Sequence, residues 1–316
     1  MMTIEDRVMD AQERIGFRLR ALYSGCGYNR YRMSKFEEYD LYSRNKDFLF
    51  SEGVITFTDT NGRLMALKPD VTLSIVKNGR DTPGQVRKVY YHENVYRVSS
   101  AEDGFREQTQ VGVECMGSID GACVAEILKL AAESLKLCAE DFVLEISHLD
   151  ILSAFVDRIA PDDRVREQIL VCAGEKNTHG IRQICRENGL AEGAEEPLTE
   201  LLSLYGAPKT VLPKIRALAE ENGVAEEAAE LSRAVAGFTG TDMEDRIQID
   251  FSATGDMKYY NGIAFKGFIS GIPGSVLSGG QYDHLMRRMG RKDRAIGFAV
   301  FLNMMERLSE EAGKDA

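Results

Sequence analysis

The chain has 316 residues, enough for one large domain or two of ordinary size, and its 44% hydrophobic and 28% charged residues describe a soluble globular protein. Fifty acidic against 39 basic residues give a formal net charge of −11, which disfavours nucleic acid as a partner unless a local basic patch overrides the field. No run approaches eighteen consecutive apolar residues, so no membrane span is expected, and the amphipathic start "MMTIEDRVMDAQERIGFRLR" is not a signal peptide.

In chain order, residues 4–25 carry helical spacing, with Ile4, Val8, Ile15, Leu19 and Leu22 on one face. "GCGYNRYRMSKFEEYDLY" turns at Gly27 into an alternating stretch. In "GVITFTDTNGRLMALKPD", Thr60-Asn61-Gly62 joins two runs as a hairpin, because Asn and Gly tolerate positive φ. "TLSIVKN" starts a helix behind Pro69-Asp70. "VRKVYYHENVYRV" and "FREQTQVGVECMGS" read as strands around a polar loop. "CVAEILKLAAESLKLC" reads as a helix and "FVLEISHLDIL" as a strand. From 152 to 245 alternation gives way to short helices broken at "GEKNTHG", "ENGLAEG", "YGAPKT" and "ENGV". Strand patterning returns in "DRIQIDFSATGDMKYYNGIAFKGFISG". A Gly-rich turn entering a helix is expected at "VLSGGQYDHLMRRMG", and a strand-to-helix finish at "AIGFAVFLNMMERL". Hairpin-joined strands with helices before and between them imply an α+β fold on an antiparallel sheet. The sheet-forming domain would be discontinuous, 1–151 with 246–316, around a helical insertion at 152–245.

Three groups of residues can carry chemistry. Asp70 and Thr72 stand at a helix start, where capping is the simplest role. Arg97 punctuates one apolar strand, and Arg106, Gln108, Gln110, Gly112 and Glu114 share one face of the next, a polar stripe that solvent alone would explain. Tyr259, Tyr260 and Tyr282 stand beside glycines, as core aromatics also do. Taken together the groups suit a zwitterion: Asp70 and Glu114 for an ammonium, Arg97 for a carboxylate, and Gln110 with the tyrosines for neutral hydrogen bonds. No paired nucleophile and base, P-loop or GxGxxG motif is present. Six cysteines without a Cys-x-x-Cys pair read as reduced thiols of a cytoplasmic protein, and four scattered histidines make no metal site.

The order of these segments resembles the catalytic domain of class II aminoacyl-tRNA synthetases, specifically the histidyl enzymes, over roughly residues 10–308. "TFTDTNGRLMALKPDVT" is similar to that family's segment ending Arg-Pro-Glu-Gly-Thr. "VYRVSSAEDGFREQTQVGVECMG" resembles motif 2, "KYYNGIAFKGF" and "LSGGQYDHL" the histidine-specific segments, and "AIGFAVFLNMMERL" motif 3. The resemblance implies a histidine pocket formed by Asp70, Thr72, Arg97, Gln110, Glu114, Tyr259, Tyr260 and Tyr282, with Asp70 shorter than the family's glutamate.

Several positions depart from the pattern. The ATP-binding arginine of motif 3 falls on Met304, its glutamate on Asn303 and its second glycine on Phe301. Ser99 replaces a motif 2 glutamate, Gly255 the histidine-specific arginine, Gln281 an arginine and Ser34 the motif 1 proline. Arg307 lies three residues beyond Met304, on a shifted helix face, and is not credited as a displaced motif 3 arginine. Without cations facing the α-phosphate, adenylate formation loses its main stabilising interaction. The given sequence ends after motif 3, so the synthetases' anticodon-binding domain is expected to be missing.

These departures resemble those of the regulatory subunits of ATP phosphoribosyltransferase. That resemblance implies no catalysis and no cofactor. It also implies a hetero-oligomer with a short catalytic subunit in the first step of histidine biosynthesis, feedback regulation by L-histidine, and a self-dimer through the synthetase-like domain. The alternatives are an amino-acid-activating enzyme and an assembly scaffold that senses no ligand.

Overall fold

The computed structural model describes residues 8–49, 53–82, 84–99, 104–252, 254, 257 and 259–305. It forms two compact units, one of residues 1–119, 133–142 and 268–316, the other of 120–132 and 143–267.

Helix α1 (Ala11–Gly25) starts at Asp10, whose carboxylate accepts from the Glu13 amide while Glu13 reaches back to the Asp10 amide. This reciprocal capping satisfies two otherwise orphaned donors. Val8, expected on the apolar face, is exposed, and Ile4 lies outside the described residues. The buried face of α1 is carried by Leu19 and Tyr23, each worth roughly 1.5–3 kcal/mol when fully buried. Tyr23 meets Phe298 edge-on at 5.9 Å, and its hydroxyl bonds Ser134 Oγ at 2.9 Å.

β1 (Asn29–Arg30) and β2 (Phe36–Glu38) follow, then α2 (Tyr39–Ser43). β3 (Thr56–Thr58) and β4 (Leu64–Leu67) form the expected hairpin. Its turn closes as Asp59 Oδ1 accepts from the Asn61 and Arg63 amides, with Gly62 at φ +79°. A three-stranded sheet, β2-β4-β3, results. α3 (Thr72–Lys77) leads to β5 (Val86–Ser99) and β6 (Gly104–Gly117), which pair along their whole length.

α4 (Gly121–Cys138) and β7 (Phe142–His148) come next. Extended pairing stops at His148, so "LDIL", read from sequence as strand, opens α5 (Leu149–Ile159) instead. Its Leu149, Ile151, Leu152, Phe155, Val156 and Ile159 are all buried at helical spacing, a period that the four residues "LDIL" are too short to display behind a buried strand. Helices α6 (Asp163–Gly174), α7 (Thr178–Glu187), α8 (Glu196–Ser203), α9 (Pro208–Glu221) and α10 (Ala225–Val235) follow within the second unit. β8 (Ile247–Ile249) runs parallel to β7, and β9 (Asn261–Ile269) completes that region.

In the first unit, β10 (Leu277–Gln281), α11 (Asp283–Arg288) and β11 (Arg294–Phe301) return to the sheet, ordered β1-β5-β6-β11-β10. "LSGGQ" is therefore a strand, whereas the glycines alone had suggested a turn. The sheet is also mixed. β1–β5 and β7–β8 are parallel, each pair joined by a long excursion of the kind parallel strands require, and the pairs between β5 and β10 are antiparallel. The finish is strand into a 3₁₀ turn, Leu302–Met305, with later residues outside the described set.

Candidate functional site

Register in the first unit builds the site. Val89, Glu114, Gly297 and Gly280 lie in one cross-strand row, so their side chains share a face of the sheet. On the β11–β10 side of Glu114 this row offers two glycines, Gly297 and Gly280, and no side chain. Gly297 is decisive: a Cβ there would fall 1.9 Å from Glu114 Oε2 and 2.5 Å from the Val113 carbonyl. Only glycine leaves room for the carboxylate. Two pairs further on, Gly112 makes way for the ring of Tyr91, whose Cζ would be 2.5 Å from an added Cβ.

Glu114 is 2% exposed and accepts two hydroxyl donors, Thr72 Oγ1 to Oε1 and Tyr282 Oη to Oε2, both at 2.6 Å. Burial pushes its carboxyl pKa up to about 8, against the two hydroxyls, and the nearby Asp70 charge adds to the rise. Tyr282 is placed by the joint between β10 and α11. Its amide donates to the Ala295 carbonyl, while Asp283 accepts from the Ala295 amide and pairs with Arg294 at 3.0 Å.

Asp70 and Thr72 come from the start of α3. Asp70 Oδ1 accepts from the Leu73 amide at 2.8 Å, so Asp70 both caps the helix and faces the site. Burial raises its pKa, opposed by the Leu73 amide and then by the Arg97 charge. Arg97, half-buried on β5, donates Nε to the Pro69 carbonyl at 3.3 Å. Gln110 is buried on the Glu114 face of β6 and donates to Gln108 at 3.4 Å. The polar stripe of β6 thus runs from exposed Arg106 inward to buried Gln110 and Glu114, and solvent does not explain its inner end. The structure gathers Asp70, Thr72, Arg97, Glu114 and Tyr282 through these interactions and places Gln110 on the same face. Tyr259 and Tyr260 belong to the second unit, both buried, their rings 4.7 Å apart and nearly perpendicular.

Two features escaped the sequence. Lys68 is 1% exposed and pairs with Glu93 at 2.5 Å, while the Lys68 carbonyl accepts from the Tyr96 amide, so the Asp70 loop is pinned to β5. Lys68 adjoins Pro69-Asp70, but nothing local points to a partner 25 residues away. Tyr42 of α2 is fully buried, its hydroxyl has no hydrogen-bond partner among the described residues, and burial followed by the Asp70 charge holds its pKa high.

The far end of the same strands is different. Phe301 pairs with Gln110, and Leu302 is buried, its Cδ1 3.2 Å from where a Cβ on Gly16 would lie. Asn303 Oδ1 accepts from the Thr109 amide at 2.5 Å, and Met305 is buried. Of the two positions expected to be charged, Asn303 is spent on a backbone tie and Met304 is a half-buried apolar side chain. Gln281 is buried, and Ser34 Oγ accepts from the Phe36 amide at 3.2 Å. The side chain of Ser99, and Gly255 altogether, lie outside the described residues.

A family model described as histidyl-tRNA synthetase matches residues 4–305. The chain belongs to the histidyl-tRNA synthetase family. Among curated members, the ATP phosphoribosyltransferase regulatory subunit of Oceanobacillus iheyensis is 26% identical over 282 residues, covering 88% of this chain and 69% of that one. A crystal structure titled as an ATP phosphoribosyltransferase regulatory subunit/histidyl-tRNA synthetase from Bacillus halodurans superposes with a TM-score of 0.83 at 22% identity, over 98% of this chain and 81% of the other. A chain of the ATP phosphoribosyl transferase (HisG:HisZ) complex from Thermotoga maritima gives 0.70 at 18% identity, over 91% and 96%. These likenesses bear out the class II fold. No helix of the described residues is long and apolar enough to cross a membrane, and no group of three or more metal-binding side chains occurs among them.

Proposed function

We propose that this chain is a non-catalytic regulatory subunit, cytoplasmic, which assembles with a catalytic ATP phosphoribosyltransferase subunit and binds L-histidine in the Glu114 pocket. The observation that carries this reading is the contrast along β6 and β11. A buried carboxyl, Glu114, is held by the Thr72 and Tyr282 hydroxyls, while Phe301, Asn303 and Met304 supply no cation where adenylation needs one. In the bound state Glu114 and Asp70 hold the ammonium, Arg97 the carboxylate, and Gln110 and Tyr282 give neutral hydrogen bonds. The discontinuous division at 152 and 245 belongs to the same proposal.

Regulation requires that histidine bind one assembly state more tightly than another. Linkage then makes the coupling reciprocal: the factor by which histidine changes affinity for the catalytic subunit equals the factor by which that subunit changes affinity for histidine. Isothermal titration of the purified complex with L-histidine tests the pocket, with Glu114→Ala as control. Absence of heat from the wild type overturns histidine sensing here. Histidine-dependent exchange of pyrophosphate into ATP by the chain alone overturns the non-catalytic assignment. Failure to co-purify with a short phosphoribosyltransferase overturns the partner.

A further inference from the structure

Away from Glu114, the first unit holds a groove of about 440 Å³ between β1, the start of β5 and the residues Arg80, Thr82 and Gln85. Arg30, Arg80, Arg87 and Lys88 line it, with Asp293 as its single acid. Among the described residues Arg30, Arg80 and Arg87 make no ion pair, in a chain that carries eleven surplus negative charges. Unpaired guanidinium groups crowded together repel one another, and a bound anion is the ordinary means of relieving that.

The walls are braced rather than loose. Arg291 Nη2 donates to the carbonyls of Val76, Lys77 and Gly79, and the Lys292 amide donates to Asp81 at 3.2 Å, fixing the chain on both sides of Arg80. Arg291 also approaches Asp81 at 3.8 Å. Opposite, the Tyr31 amide bonds the Tyr90 carbonyl at 2.7 Å, and its hydroxyl meets Asn78 and Ser74. Asp293 is half-buried, and burial and then the Asp81 charge hold its carboxyl above the usual range, with Arg291 opposing.

We propose that this groove binds a small anion carrying two or more phosphoryl groups. Guanidinium forks match phosphate oxygens two at a time, and a site with three of them suits a short polyphosphate. Its size lies within the range of small-molecule pockets. At physiological ionic strength the screening length is about 8 Å, so a small ligand in the groove responds to the four local cations. A long polyanion would also meet the acidic remainder of the surface.

The test is titration of the full chain with inorganic pyrophosphate and with tripolyphosphate at constant ionic strength. One saturable site per chain is expected, weakened at least tenfold by Arg80→Ala/Arg87→Ala, partly rescued by Arg87→Lys and tightened by Asp293→Asn. The replaced arginines are not in the core, and unchanged L-histidine binding or an unchanged melting curve checks that the variants fold. Three outcomes overturn the proposal: no saturable binding, equal binding by wild type and the double variant, or tighter binding of a single-stranded oligonucleotide than of tripolyphosphate. A change in assembly mass on Arg80→Ala/Arg87→Ala without anion also overturns it, since the arginines would then be pairing with another protein surface.

Discussion

Two stretches of the same pair of strands, a few residues apart, have gone opposite ways. Around Glu114↔Gly297 the sheet gives up side-chain volume so that a buried carboxyl can stand with two hydroxyl partners. Around Gln110↔Phe301 and the turn after it, side chains fill the space and Asn303 ties down the Thr109 backbone. A buried carboxyl with no cation beside it is costly to keep, and packing an abandoned site is not. Under the proposed function, the first is the ligand site and the second is where adenylate chemistry would have needed cations.

Several changes test that contrast. The largest effect is expected from Gly297→Val, which places carbon on the Glu114 oxygen and the Val113 carbonyl. Overpacking of this kind costs about 3 kcal/mol. Chemical denaturation should show that loss, and titration should show no histidine heat. Glu114→Ala comes next: removing a buried charged partner costs about 2–5 kcal/mol of binding, so affinity should fall at least thirtyfold while the fold persists.

The pH dependence is smaller and has a definite sign. The Glu114 carboxyl shifts from 4.5 when unfolded to about 8 when folded, so between those values the native state holds the extra proton. Stability of the empty protein therefore falls as pH rises from 4.5 to 8, by at most about 1.4 kcal/mol per unit, and levels off above. Glu114→Gln should remove this slope in pH-dependent denaturation. An ammonium needs the ionised form, so histidine affinity should rise with pH over the upper part of that window. Each binding event should release a proton, visible as a dependence of calorimetric heat on buffer.

Asn303→Ala, which leaves the Thr109 amide without its acceptor, should cost about 1 kcal/mol of stability and leave histidine affinity unchanged. The smallest effect is expected from Met304→Arg, which should restore no pyrophosphate exchange, because Ser99 and Gly255 stand where the family pattern has two further charged residues. Measurable exchange would erase the contrast.

What the sequence discloses follows interaction range. The first helix, expected over 4–25 and found at Ala11–Gly25, the Asn61-Gly62 hairpin and the two long strands rest on local periodicity and turn chemistry, whereas the cap at Asp10 that sets the helix start is not part of that expectation. The Gly279-Gly280 segment misled because glycine marks turns more often than strands whose neighbours need room. The parallel pairings of β1 and β8 were illegible, since nothing local records a partner dozens of residues away. Candidate residues emerged through family resemblance, whereas their environment did not. Thr72 and Tyr282 lie 42 and 168 residues from Glu114, and the Lys68–Glu93 pair has no signature in either segment.

The close approach at Gly297 also constrains how such a chain can diverge. A side chain at 297 and a carboxylate at 114 exclude each other, so in a lineage that keeps the acid, position 297 has no neutral replacements. In a lineage that loses the acid, both positions are released together. One substitution at a residue with no side chain would be enough to silence the pocket while every polar group proposed to meet the ligand remained in the gene.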